Sequence, residues 1–261
     1  MTGEFDLSGR SALVTGAGSA TGIGFATADL LTRMGASVLI TSTTDRIHDR
    51  VKELVSRGGD AHGIVGDLTE ATTALRLVAA ALEIWGRLDV VVHNAGMTSV
   101  AQTQPESGTI DVMAYAQWRS SLSRNLDTAF LVAQACLPVM IAARWGRLVM
   151  VSSVSGPLMA MRGEPAYAAA KAGMVGLARA LAIDSAVHGV TVNAVAPGWI
   201  ATGSQTPHEH AQGLASPMGR SARPEEVAAS IGWLASPSAS YVTGQCLVVD
   251  GGNSIAEERS R

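Results

Sequence analysis

The chain has 261 residues, of which 47% are hydrophobic and 16% charged, and its net charge is -3. That length suits one large α/β domain or two small ones, and the apolar share supports a substantial core and excludes a disordered chain. The slightly acidic balance and an aromatic content of 4% exclude a basic nucleic-acid surface, an anionic-membrane surface and a base-stacking platform.

The N-terminal "MTGEFDLSGR" has neither an apolar signal core nor an Arg-rich amphipathic stretch. No run approaches the roughly 18 uninterrupted apolar residues of a membrane span, so a cytoplasmic protein with no membrane partner is expected. In chain order, "SALVT", "SVLIT", "HGIVG", "LDVVVH", "RLVMVS", "VTVNAV" and "CLVVD" read as strands. Their apolarity is continuous rather than alternating, as in a parallel sheet covered on both faces. Helical periods lie between them, over Ile23–Met34, Arg46–Ser56, Ala71–Trp85, Tyr115–Ala143, Tyr167–His188 and Glu225–Ala235. This alternation predicts a Rossmann-like doubly wound α/β/α fold with a seven-stranded parallel sheet. With no linker or repeat, residues 1–261 read as one domain. Gly198–Pro224 is the least regular stretch and reads as a functional or disordered loop. Cys136 and Cys246 form no metal-ligand pattern and are expected to be reduced thiols rather than a disulfide.

"TGAGSATGIG", Thr15–Gly24, follows the first strand. A helix N-terminus there offers unpaired N–H groups to a pyrophosphate, and glycines permit close approach of backbone to ligand. The pattern G-x-G-x-x-G fails, because Thr21 stands where the third glycine belongs. Alone, the stretch suits a nucleotide loop and an ordinary glycine turn equally well.

Four further stretches decide between them: "HNAG" at 93–96, "SSVSG" at 152–156, "YAAAK" at 167–171 and "APGWIAT" at 196–202. With the glycine stretch, in this order, the chain from Leu7 to Ser254 resembles the classical short-chain dehydrogenase/reductase family, and within it 3-oxoacyl-carrier-protein reductases. The family's glycine pattern places three residues between its first two glycines. Here five separate Gly16 from Gly22, so the loop is read as carrying two extra residues, bulged at Gly18–Ala20. The resemblance gives Gly16, Gly22, Ile23 and Gly24 cofactor-facing roles.

It also implies a nicotinamide cofactor. NAD-binding members carry Asp at the end of the second strand to accept the ribose hydroxyls. Ser42 stands there instead, with Thr43, Thr44 and Arg46 nearby to meet a 2′-phosphate, which favours NADP(H) over NAD(H). The alternative gives the ribose to Asp45, which reads better as a helix cap. Asp67, with Leu68 behind it, matches the family's adenine-contacting acid and is compatible with a helix cap. Asn94, Ala95 and Gly96 are implied on the adenine-ribose side. Pro197, Gly198, Ile200 and Thr202 are implied around the nicotinamide.

Hydride transfer to a carbonyl leaves an alkoxide that needs a proton. The resemblance assigns the donor to Tyr167, and Lys171 lies one helical turn later, where its ammonium is expected to lower the phenol pKa. By resemblance Lys171 also binds the nicotinamide ribose, Ser153 rather than Ser152 holds the substrate oxygen, and Asn125 holds a water linked to Lys171. His93 replaces the family's commoner Asn and is given no chemical role. His208 and His210 lack a third ligand, so no metal is expected. Met97, Met159, Met161, Trp199 and Met218 hint at an adaptable apolar pocket.

The expected activity is NADP-dependent reduction of a small-molecule ketone, a 3-oxoacyl thioester being one candidate. NAD-dependent oxidation of a secondary alcohol is the second reading. A silent nucleotide-binding scaffold is the third, and it would be expected to have lost Tyr167 or Lys171. The resemblance also implies a homotetramer, joined through the two long helices and through "CLVVDGGNSI".

Overall fold

Strand runs that are apolar on both faces need cover on both sides, and the computed structural model, which describes residues 3–96 and 107–258, supplies it. β1 (Ser11–Val14), β2 (Ser37–Ser42), β3 (Ala61–Val65), β4 (Val90–His93), β5 (Gly146–Val151), β6 (Val190–Pro197) and β7 (Cys246–Val249) form one parallel sheet in the order β3-β2-β1-β4-β5-β6-β7. Successive residues feed opposite cores, as the strand period requires. Ala12, Val14, Val38, Ile40, Val90 and Val92 pack with α1 (Ile23–Arg33), α2 (Arg46–Ser56) and α8 (Pro224–Ala235). Leu13, Leu39, Val91, Leu148 and Val192 pack with α3 (Ala71–Trp85), α5 (Thr128–Ala143) and α6 (Pro165–Ala186). The expected three-layer fold is the observed one.

Three expectations need correction. The helix expected over Tyr115–Ala143 is α4 (Tyr115–Leu122), a π turn (Ser123–Asp127) and α5 in continuous succession. The helix expected from Tyr167 begins at Pro165, whose fixed φ and missing N–H suit the first helical turn. The irregular stretch contains a helix, α7 (Pro207–Leu214), capped by Thr206 and Glu209, so His208 and His210 lie on a helix. Tyr115–Ala143 and Pro165–Ala186 are apolar and long enough to cross a membrane, but both bury one side in the core.

The two ends of the strands differ in chemistry. At the N-terminal edge, buried Asp89 accepts from Arg10 Nη1 (2.9 Å), Arg87 Nε (2.6 Å) and the Ser11 amide (2.9 Å). Burial would raise the Asp89 pKa, but the bonds from Arg87, Ser11 and Arg10 outweigh it and hold the carboxyl below its usual range. The guanidinium carbons of Arg10 and Arg147 lie 3.9 and 4.4 Å from the Trp145 ring centroid. Both cysteines are free thiols. The C-terminal edge carries the glycine turn and every other stretch on which the family resemblance rests.

Candidate active site

After β1 the chain turns at Gly16 with φ +67°, where a methyl group would stand 2.9 Å from Ala95 Cα. At Gly24 it would stand 2.6 Å from both Asn94 Nδ2 and Gly16 O. Only hydrogen fits at either place. Asn94 Nδ2 donates to Gly16 O (3.0 Å) and Thr15 O (3.2 Å), while Thr15 Oγ1 accepts from the Asn94 and Ala95 amides at 3.0 Å each. The end of β4 is thereby stitched to the glycine turn. Gly22 is the N-cap of α1 and no side chain caps this end, so the first turn at Ile23 and Gly24 presents uncapped amides. A cradle closed to side chains beside an uncapped helix end fits a dinucleotide's pyrophosphate.

The extra residues of the loop lean on β2. A methyl group on Gly18 would stand 2.8 Å from Ser42 Cβ and 3.8 Å from Arg46 Nη2. Ser42 Oγ donates to Thr44 O (2.8 Å), Arg46 Nε donates to Thr44 Oγ1 (3.1 Å), and Thr43 is exposed. Asp45 holds the N-cap position of α2 but its side chain makes no capping bond. Asp67 does not cap α3 either, whose N-cap is Glu70. Its Oδ1 accepts from the Thr69 amide (2.9 Å) and hydroxyl (2.7 Å), shaping the turn over buried Leu68. Sequence reasoning missed Thr21, whose Oγ1 accepts from the Gly203 amide at 2.9 Å and joins the glycine turn to the β6–α7 segment.

Tyr167 and Lys171 share a face of α6, with Lys171 Nζ 5.6 Å from the Tyr167 ring centroid. Lys171 is 3% exposed, and its Nζ donates to Val151 O at 2.9 Å. The paired serines diverge. Ser152 Oγ donates to Lys171 O (2.9 Å), whereas Ser153 Oγ accepts from the Ser155 amide (3.1 Å) and acts on the Tyr167 phenol to lower its pKa. Asn125 sits in the π turn, its Nδ2 donating to Ser121 O at 3.0 Å. A methyl group on Gly96 would stand 2.8 Å from Asn125 Oδ1 and 3.3 Å from Lys171 Nζ, so both side chains close over that glycine.

The electrostatics depart from expectation. Burial lowers Lys171 to about 8. The Tyr167 phenol is raised, first by burial and then by the Glu164 and Glu209 carboxylates, with only the Ser153 hydroxyl pulling it down. Lys171 was expected to make this phenol more acidic, but at its distance from the ring it does not offset desolvation. Glu164 and Glu209 were not anticipated, because one is the N-cap of α6 and the other comes from α7.

Beyond β6, a methyl group on Gly198 would stand 2.7 Å from Asp250 Cβ, and Pro197 O accepts from the Val154 amide at 3.0 Å. Ile200 bridges to Ala222, and Thr202 Oγ1 lies 3.1 Å from Ser204 Oγ. Met159 Sδ accepts from Asn253 Nδ2 at 3.6 Å, and Met218 packs on Gly251. Met161 and Trp199 are half-buried, and Met97 lies outside the described residues. Among the described residues no three metal-ligating side chains cluster.

Known proteins match this chain along nearly its whole length. A family model described as enoyl-(acyl carrier protein) reductase matches residues 16–254. A 3-oxoacyl-[acyl-carrier-protein] reductase of Synechocystis sp. is 36% identical over 94% of this chain and 97% of that protein. A cis-4-hydroxycyclohexanecarboxylate dehydrogenase of Sinomonas cyclohexanicum is 39% identical over 93% of this chain and 96% of that protein. The crystal structure of a putative gluconate dehydrogenase from Agrobacterium tumefaciens superposes with a TM-score of 0.88 at 30% identity, covering 97% of this chain and 99% of that one. The chain belongs to the short-chain dehydrogenase/reductase family and is an oxidoreductase that works with a nicotinamide cofactor.

Proposed function

We propose that the protein is an NADP-dependent reductase of a small-molecule ketone. The observation that carries this reading is the convergence of Ser153, Tyr167, Lys171 and Asn125 beside the glycine cradle. When bound, the reduced cofactor supplies a hydride to the carbonyl carbon. Ser153 holds the carbonyl oxygen by its hydroxyl, and Tyr167 gives that oxygen its phenolic proton, so the product is a secondary alcohol. Buried Lys171 stabilises the phenolate left behind, and Asn125 holds the water through which the proton is replaced. Gly16, Gly22, Ile23 and Gly24 take the pyrophosphate, and Asp67, Leu68 and Asn94–Gly96 the adenine and its ribose. Pro197, Gly198, Ile200 and Thr202 flank the nicotinamide.

A hydroxyl at Ser42 in place of a carboxylate, with Arg46 drawn towards Thr44, supports NADP over NAD. The Synechocystis relative's name supports a 3-oxoacyl thioester as one substrate class. NAD-dependent oxidation of a secondary alcohol is the second reading, favoured by the dehydrogenase name of the Sinomonas relative. Exposed Phe130 on α5, Ile183 on α6 and Val187 at the C-cap of α6 support a homotetramer built on those helices.

The test is oxidation of NADPH and NADH against ketones, diketones and 3-oxoacyl thioesters, repeated with Tyr167→Phe. NADPH is expected to be preferred, and the variant to lose about 10²–10⁴-fold in kcat while still binding cofactor. A clear NADH preference would overturn the assignment of Ser42 and Arg46. Undiminished turnover by Tyr167→Phe would overturn that of the proton donor.

A further inference from the structure

His93 ends β4, is 0% exposed, and lies between the two halves of the site. Its Nδ1 is 3.5 Å from Thr15 Oγ1, and its Nε2 is 3.3 Å from Thr128 Oγ1. Thr15 Oγ1 already accepts two amides, from Asn94 and Ala95, so its own proton is left to point at Nδ1. That makes Nδ1 an acceptor and places the ring proton on Nε2, facing Thr128. Thr128 in turn donates its hydroxyl proton to Arg124 O at 2.7 Å, inside the π turn that carries Asn125. Donors and acceptors match along the whole line. Burial, reinforced by the charge on Lys171, lowers the imidazole to about 3, so the neutral ring this pattern needs is the one present at neutral pH.

We propose that His93 is a positioning residue, a two-armed strut that fixes the glycine turn at Thr15 relative to the π turn bearing Asn125. One arm serves cofactor binding and the other the proton-handling residues. The proposal rests on the reading of Asn125 given above. A histidine suits this position because its two ring nitrogens reach in opposite directions, whereas an asparagine amide ends level with Nδ1 and falls short of Thr128.

Two conservative variants separate the arms. His93→Asn places its amide near the Nδ1 position and keeps the Thr15 arm alone. His93→Gln reaches the Nε2 position and keeps the Thr128 arm alone. The Asn variant is expected to retain cofactor affinity and lose about three- to tenfold in kcat, the effect of one neutral hydrogen bond. The Gln variant is expected to weaken cofactor binding by a similar factor with kcat at saturation little changed. Thr128→Val, which removes the second arm without touching His93, should reproduce the Asn variant and add nothing to it in the double variant. Cofactor affinity is read by quenching of tryptophan fluorescence with no substrate present, so that arm is tested even if no ketone in the panel is turned over. Equal losses in both parameters for both variants, or full additivity of Thr128→Val with His93→Asn, would overturn the proposal.

Discussion

On the proposed mechanism, the charge on Lys171 sets the working range of the site. Its ammonium, lowered by burial to about 8, is charged below that pH and neutral above it. The raised phenol of Tyr167 keeps its proton across the same window. In the proposed ketone reduction the ammonium stabilises the phenolate left behind, so kcat is expected to be level in neutral solution and to decline as pH rises through about 8. A profile flat to about pH 10, near the unperturbed lysine value, would remove Lys171 from the step. The pair was legible in the sequence because residues four apart share a helical face. The direction of the Tyr167 shift was not, because Glu209 reaches it from another element and desolvation has no signature in spacing. Gly96 was readable as a motif letter, but the reason for it, Asn125 and Lys171 meeting where a side chain would stand, exists only in three dimensions.

Among the elements, α7 and the π turn went unread for different reasons. α7 is eight residues long and polar, and its stretch carries enough Gly, Ser and Pro to read as loop. Its start signal was nevertheless present: Thr206 Oγ1 accepts from the Glu209 amide (3.2 Å), Glu209 Oε2 accepts from the Thr206 amide (2.7 Å), and Pro207 follows the cap. Thr206→Ala is expected to remove about 0.5–2 kcal/mol from α7 and to speed hydrogen exchange there while leaving the strands protected. Unchanged exchange over Pro207–Leu214 would show that another contact holds this helix. The π turn has no comparable signal. One extra residue per turn brings Asn125 inward, and side-chain period cannot reveal that.

For the whole molecule, the sheet was the most legible feature, because strands covered on both faces must be apolar without interruption. An assembly surface is the least legible, since an apolar residue on a long helix reads the same whether it faces its own core or a neighbour. Ile183 is 79% exposed on α6, beside Val187 at 72%, and the described residues leave both largely uncovered. Light scattering should therefore give the mass of four copies, and Ile183→Glu a smaller species. A monomeric mass for the unaltered protein would remove these helices as an assembly surface.

The strands also part the labour of the molecule along their length. Asp89, Arg10 and the Arg147–Trp145 stack brace one rim, while the residues proposed for the chemistry gather at the other. A designer altering the proposed substrate side therefore works far from these contacts. Variation around Met159, Trp199 and Met218 is expected to leave the Asp89 cluster untouched, because that cluster lies at the far end of the strands.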